Sequence, residues 1–335
     1  MAHVSTVRPS RVSDVGAALD TWSVEAQSDA ALADLDRDRT RPSLERTASA
    51  RGAVDEMARE LRKAGLTSWD LLTGSFAHGT QARPLHRVEV VVGLALPHGG
   101  RRASAALDTI ANVLASNRGV GEVRIGAHHV DALAAADGLC TRVIPARLLR
   151  TVAGLLVPCV VPRLSIDDWS YRNPVRSLEA AEAYENDTGG VYSMTGRLLN
   201  AWNRCASSEQ GMLTSDHIEA ILWQCLRLRL TAPVSEALET FFEEAYWRLD
   251  PGARTPAPGW RITSRFPATI RENVVDDTLS EGRRRRARVR VSRAREQIRE
   301  ARATADPAAA ASIWRCLLTA CDSDKPLEGD VDDWQ

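Results

Sequence analysis

The sequence predicts an α+β protein of two lobes, a mixed-sheet palm followed by a helical lobe. Three observations carry that reading. Between residues 66 and 162 short strand-like runs mix with helical spacing, which suits a mainly antiparallel or mixed sheet. After Pro162 the composition turns helical. Between Gly74-Ser75 and Val92, a glycine turn leads into an apolar, β-branched run that reads as a strand buried on both faces. At 335 residues the chain can bury a core of that size. The expected division is a polar segment 1–41, a spine helix and palm 42–165, a helical lobe 166–321 and an acidic tail 322–335.

Taken in order, Ser13-Asp14 caps a first helix carrying Leu19 and Trp22. Pro42 suits the first turn of a helix that runs to Lys63 and stops at Gly65. Its inward residues are read as Leu44, Ala48, Val54, Met57 and Leu61. Trp69 to Thr73 is a strand feeding the Gly-Ser turn, and Arg87 to Ala95 is the next, broken by Pro97-His98-Gly99-Gly100. Ala106, Leu107, Ile110, Val113 and Leu114 space a helix over 102–116. Segments 122–127, 129–134 and 140–144 read as strands, separated by turns such as Asp137-Gly138. A basic helix spans 281–303. The last helix runs from Pro307 to Cys321, capped by Asp306, with Ile313, Trp314 and Leu317 as its packed stripe.

Composition narrows the function classes. A net charge of −1 builds in no global attraction to nucleic acid or membrane. No apolar run reaches membrane-spanning length, so a membrane partner is not expected. Six cysteines (Cys140, Cys159, Cys205, Cys225, Cys316, Cys321) lack a CxxC pair and read as reduced core residues of a cytoplasmic protein.

The stretch Gly74-Ser75-Phe76-Ala77-His78-Gly79-Thr80, followed at a fixed interval by Arg87-Val88-Glu89, resembles the nucleotidyltransferase signature of the CD-NTase (cGAS/DncV-like) family, within the polymerase-β-like superfamily. In that family Gly-Ser precedes Asp-x-Asp on a strand, and the two aspartates hold magnesium against a triphosphate. Here those positions are Arg87 and Glu89. Cys140-Thr141-Arg142-Val143-Ile144-Pro145-Ala146 resembles the landmark that supplies a third aspartate, with Arg142 in its place. Asn173-Pro174, Asn186 and Asp250-Pro251-Gly252 match further landmarks. So do Arg197-Leu198-Leu199-Asn200-Ala201-Trp202, where Asn200 replaces a phosphate-contacting lysine, and Ser215-Asp216-His217-Ile218-Glu219, whose serine touches triphosphate in the family. The resemblance covers roughly residues 42–321. It implies a bilobed polymerase-β-like nucleotidyltransferase fold with a spine helix behind both lobes.

Magnesium needs carboxylate oxygens, and arginine offers five donors and no acceptor. Three aspartates becoming Arg87, Glu89 and Arg142 change the local charge from −3 to +1. The expected consequence is a pseudoenzyme with no cofactor. Three readings of the altered site stand open. The charges form a structural ion cluster. Alternatively, Arg87 and Arg142 grip phosphate directly, with Gly74, Ser75, Asn200 and Ser215 as further nucleotide contacts. In the third reading Glu89, with Asp131 or Asp137, supports residual magnesium-dependent nucleotidyl transfer that makes a second messenger. Asp131 and Asp137 otherwise read as solvated turn or strand-end residues. His78 and His86 read as solvent-facing, and His128-His129 as pointing to opposite strand faces, which disfavours joint metal ligation.

The helix bearing Arg283 through Arg302 places Ala287, Val291, Ala294, Ile298 and Ala301 on one stripe and turns its arginines outward. A nucleic acid or acidic protein partner is an option there, in a chain acting as a binding or scaffold protein. The leading expectation is a protein that binds a nucleotide, a cyclic oligonucleotide or a protein partner in bacterial antiphage signalling, as the resemblance implies.

Overall fold

The computed structural model describes residues 12–95, 102–148, 159–163, 167–172, 174–204, 212–226, 231–250, 263–264, 273–274 and 279–319, with side chains from residue 24 onward and few between 148 and 173. Pro97–Gly100, Asn173, Cys205, Pro251, Cys321 and the acidic tail lie outside these, as do the side chains of Leu19, Trp22 and Cys159.

Helix α1 (Val12–Leu35) ends in a π-helical turn, Asp36–Thr40, and the chain then enters α2 (Leu44–Lys63). Ser43 Oγ accepts from the Arg46 amide at 3.1 Å, so serine rather than Pro42 sets the start of α2. Leu44 is 89% exposed and Ala48 is exposed. The inward stripe begins instead at Ala50 and continues through Val54, Met57 and Leu61, which pack into the palm core.

The palm follows: β1 (Thr67–Thr73), a single helical turn α3 (Gly74–Ala77), β2 (Arg87–Leu94), α4 (Ala103–Ala115), β3 (Val120–Ile125), β4 (Val130–Ala134) and β5 (Cys140–Leu148). The strands lie in the order β1-β2-β5-β4-β3, with β2 and β5 parallel and the other neighbours antiparallel. Strands β6 (Cys159–Arg163) and β7 (Asp168–Arg172) extend the sheet from the far end of β5. The sheet therefore runs to Arg172, past the expected boundary at 165.

Side chains alternate across this sheet. Val88, Val90, Val92, Val130, Ala132 and Val143 pack with α2 and α4 in one apolar core. Val91, Ile144 and Ala146 lie on the other face, joined by Trp69. Glu89, Asp131 and Arg142 share that second face by the same parity. Alternation thus makes one face a core and leaves the other to polar chemistry.

The helical lobe holds α5 (Pro174–Asp187), α6 (Val191–Arg204), α7 (Ser215–Leu226), α8 (Val234–Arg248), the short strands β8 (Thr263–Ser264) and β9 (Asn273–Val274), α9 (Glu281–Ala303) and α10 (Pro307–Thr319). Asn186 lies in the last turn of α5. Leu32 and Leu35 of α1 belong to this lobe's core, with Tyr192, Trp202, Phe241, Phe242, Val291, Ile298 and Trp314. The α10 cap forms as read, Asp306 Oδ1 accepting from the Ala308 amide at 2.9 Å. Of the described cysteines only Cys225 is buried; Cys316 is exposed, because α10 turns it away from the Trp314–Leu317 stripe.

Candidate functional site

Strand register brings Glu89 and Arg142 together with two further charges. Glu89 on β2 pairs with Arg142 on β5, Arg142 pairs with Asp131 on β4, and Asp131 pairs with Arg124 on β3. One row across four strands therefore reads carboxylate, guanidinium, carboxylate, guanidinium. Neighbouring strands lie about 5 Å apart, so the inner pair, Arg142 and Asp131, each sit between charges of opposite sign. Arg142 binds Asp131 through two parallel bonds, Nε–Oδ1 at 2.8 Å and Nη2–Oδ2 at 2.9 Å. It also lies 3.8 Å from Glu89 Oε1, which Arg87 Nε approaches to 3.3 Å. His129 Nε2 stands 3.4 Å from Asp131 Oδ2.

Asp131 is thus no solvated strand-end residue. It is 19% exposed and clamped by Arg142. Its position between Val130 and Ala132 carried the signal, since alternation put it on the polar face beside the substituted pair. Asp137 does sit in a turn, where it pairs with Arg46. The charge count changes accordingly. Arg87 and Arg142 face Glu89 and Asp131, and Arg124 is met by Glu122, three against three, so the cluster is neutral and not +1.

Two opposing effects act on these carboxyls. Burial pushes Glu89 up, and although Arg87 and Arg142 pull it down, the net direction is upward. Burial also pushes Asp131 up, but there the hydrogen bond from Arg142 wins and holds it well below the usual carboxylate range. Burial, helped by Asp131, raises the neighbouring Cys140 thiol to about 12, so it carries no nucleophile at neutral pH.

The Gly74-Ser75 turn is not open. Gly74 has φ +71°, and a Cβ there would lie 2.7 Å from Glu89 Oε2. The Glu89 side chain covers the turn. Ser75 Oγ is taken by Gln81 Oε1. Asn200 does not reach toward a phosphate either. It is 3% exposed, its amide donates to the carbonyls of Thr80 and Gly196 at 3.0 Å, and its Oδ1 accepts from Ser215 Oγ at 3.3 Å. Of the six expected nucleotide contacts, Gly74, Arg87 and Arg142 meet around Glu89, Asn200 and Ser215 bond each other, and Ser75 is held by Gln81.

A second set of contacts joins the lobes. Arg197, Asn200 and Arg204 lie at i, i+3 and i+7 on α6, hence on one helix face. They donate to successive carbonyls of the loop after the turn: Gly79 (2.8 Å), Thr80 (3.0 Å), and Ala82 and Pro84 (3.0 and 2.8 Å). Gly196, one residue before Arg197, allows the approach, since a Cβ there would lie 2.5 Å from Thr80 Cγ2. Arg197 also binds Asp36 through two 2.7 Å bonds. Burial drives Arg204 down to about 10, with the charge of Arg87 adding to the effect. His78 is 8% exposed, not solvent-facing, and its Nδ1 meets Glu219 Oε2 at 2.8 Å. Thr80 Oγ1 donates to Glu219 Oε1 at 2.5 Å. His86 is exposed as expected. His128 and His129 lie before β4 and meet edge to face at 4.7 Å, so the strand premise for them fails.

The arginine helix α9 buries the predicted stripe. Its arginines are largely engaged within the lobe. Arg288 binds Asp250, Arg295 and Arg299 bind Glu243, Arg302 binds Glu25 and Glu239, and Arg290 caps the Trp202 carbonyl. Arg288 and Arg295 also lie over Tyr246, and Arg290 over Trp202. The outward face thus keeps fewer free charges than the sequence count suggested. Among the described residues no group of three or more histidine, cysteine, aspartate or glutamate side chains is arranged to hold a metal. None of their helices is long and apolar enough to cross a membrane.

No family profile and no curated protein matches the chain. Solved structures do. The Escherichia coli MS115-1 CdnC structure with ATP aligns at TM-score 0.67 and 16% identity, over 87% of this chain and 97% of that one. A Bradyrhizobium diazoefficiens CD-NTase, CdnG, in complex with GTP, aligns at TM-score 0.65 and 14% identity, over 88% and 98%. Vibrio cholerae DncV, a cyclic AMP-GMP synthase, aligns at TM-score 0.55 and 13% identity, over 90% and 86%. The alignments span both lobes, and the chain is built on the α+β nucleotidyltransferase fold that these CD-NTases share.

Proposed function

We propose that this chain is a catalytically silent relative of the CD-NTases, a cytoplasmic pseudoenzyme that acts by binding in bacterial antiphage signalling. The observation that supports this is the alternating charge row at the positions where nucleotidyl transfer needs metal-binding carboxylates. Phosphoryl and nucleotidyl transfer depend on cations held against the triphosphate. Arg87 and Arg142 cannot ligate magnesium, and Glu89 and Asp131 already neutralise them. The residues do not fit the metal, so no catalytic step is assigned to it. The test is incubation with all four ribonucleoside triphosphates plus magnesium or manganese. No nucleotide oligomer is expected. A product that disappears in Glu89→Ala would restore the enzyme reading.

One observation keeps direct nucleotide binding as a second reading. The Arg87 side chain is 41% exposed, and its one described carboxylate contact, Glu89, is a loose one. Such a guanidinium can still accept a phosphate without metal. Because the cluster is neutral, that binding is weak and salt-sensitive. Calorimetry in EDTA with ATP, GTP and a cyclic dinucleotide tests it. Loss of a binding signal in Arg87→Ala supports the reading, and equal binding by that variant removes it.

A further inference from the structure

Strand β3 forms one end of the sheet, and among the described residues no strand pairs with its outer edge. The hairpin to β4 fixes which backbone groups lie along that edge. The Gly126 amide donates to the His129 carbonyl at 2.8 Å, and Arg124 lies opposite Asp131 two residues back. Bonded pairs alternate in an antiparallel ladder, so Gly126 and Arg124 turn their backbone groups toward β4. Val123 and Ile125 turn theirs to the open side. The side chains there are uncovered as well: Glu122, Arg124 and Ile125 are exposed, Ile125 at 47%. Proline and lysine, which commonly blunt such an edge, are absent from β3. Its two charges are of opposite sign and bind each other, Arg124 Nε to Glu122 Oε1 at 2.5 Å and Nη2 to Oε2 at 2.8 Å.

The spacing of those charges says which strand fits. We propose that β3 pairs antiparallel with β3 of a second copy of this chain, Val123 opposite the partner's Val123, so that two sheets become one. A two-fold pair of strands centres on a single residue. Centred on Glu122 it sets glutamate against glutamate, and centred on Arg124 arginine against arginine; like charges directly opposite are destabilising. Centres nearer either end shorten the overlap. Centred on Val123, each Glu122 faces the partner's Arg124 and each Arg124 the partner's Glu122. The same register lets the outward amide and carbonyl of Val123 exchange two hydrogen bonds with those of the partner's Val123. It also sets the exposed Ile125 opposite the partner's Gly121, which offers no competing side chain. The irregularity between Val120 and Glu122 limits the ribbon to residues 121–125. The charge row of the palm continues through the joint, from Asp131 to Arg124 to the partner's Glu122. An unrelated strand would need this opposite-sign spacing, whereas β3 supplies it to itself.

Arg87, Glu89 and Arg142 take no part in this pairing, so it stands or falls apart from the catalytic question. A ribbon this short buries less than a standard interface, and the full chain should dimerise with a Kd between about 10 μM and 1 mM. Sedimentation equilibrium reads that constant. Amide exchange at Val123 should slow as concentration rises, while Arg124, already bonded to β4, should not change. Val123→Pro removes an outward amide that β4 does not use, and should abolish association. Glu122→Arg and Arg124→Glu should each weaken self-association by about tenfold or more. Mixed together, those two variants should pair again, because every facing pair is then opposite in sign. Melting curves check that each variant is folded. If Arg124→Glu is not, since it faces Asp131, Val123→Pro decides; if Val123→Pro is not, the charge variants decide. The proposal is overturned if wild type stays monomeric at about 1 mM. It is equally overturned if folded Val123→Pro associates as wild type does, or if the folded charge variants fail to recover pairing when mixed.

Discussion

Arg142 donates to Asp131 twice and lies beside Glu89, so truncating it strands two carboxylates on one sheet face. Arg142→Ala is expected to lower stability by about 2–3 kcal/mol, allowing for partial exposure. Urea denaturation measures that loss. The same variant should gain stabilisation from millimolar manganese, because Glu89 and Asp131 lose the guanidinium that lies between them; wild type should show none. A second residue-scale effect follows from His78. Burial lowers its pKa, but the charge and hydrogen bond of Glu219 outweigh that and raise it above 6.5. Its stabilising contact is therefore complete below the unfolded histidine value and fades as pH rises through the higher folded value. Stability of wild type should fall across that window, and His78→Gln should flatten the fall.

At the scale of single elements, α6 is the decisive one. Its face Arg197–Asn200–Arg204 satisfies the loop that follows Gly74-Ser75. Asn200→Lys, which restores the residue type the family resemblance places there, would bury an ammonium at a 3% exposed position. We expect a cost of at least about 3 kcal/mol by denaturation, and no gain of nucleotide binding. Gly74→Ala should cost about 2 kcal/mol through positive φ and the clash with Glu89. The elements themselves were largely legible in the sequence. The palm strands, the arginine helix and the α10 cap follow from local periodicity and capping chemistry. The substituted positions were legible too, because Arg87 and Glu89 share strand parity. What the sequence did not disclose was long-range pairing. Asp131 sits against Arg142 only because β4 and β5 are antiparallel in one register. Glu219 reaches His78 and Thr80 across 141 and 139 residues of chain, and no local pattern encodes that. Asp36 was hidden in the same way, by its partner 161 residues on.

Across the whole molecule, the lobes are joined by buried polar contacts and not by a loose hinge. Asp36 is 1% exposed and Arg197 7%, so Asp36→Ala leaves a guanidinium buried without its carboxylate. A loss of about 3–5 kcal/mol is expected. Hydrogen exchange should then show faster opening at residues 79–84 than in the α2–α4 core, since that loop depends on Arg197 for its Gly79 carbonyl. Equal acceleration in both regions would mean that the lobes unfold as one unit and the contact is not a local fastener.

The alternating row also bears on the routes by which this sequence can change. Placing aspartate at 142 alone sets three acidic groups abreast on β2, β5 and β4 with nothing to separate them. Placing aspartate at 87 alone removes Glu89's nearer cation while Arg142 still bars a metal. Replacing Asp131 first leaves Arg142 without its two-point clamp. Each of these three single changes lowers fold stability, so the row resists being opened one residue at a time.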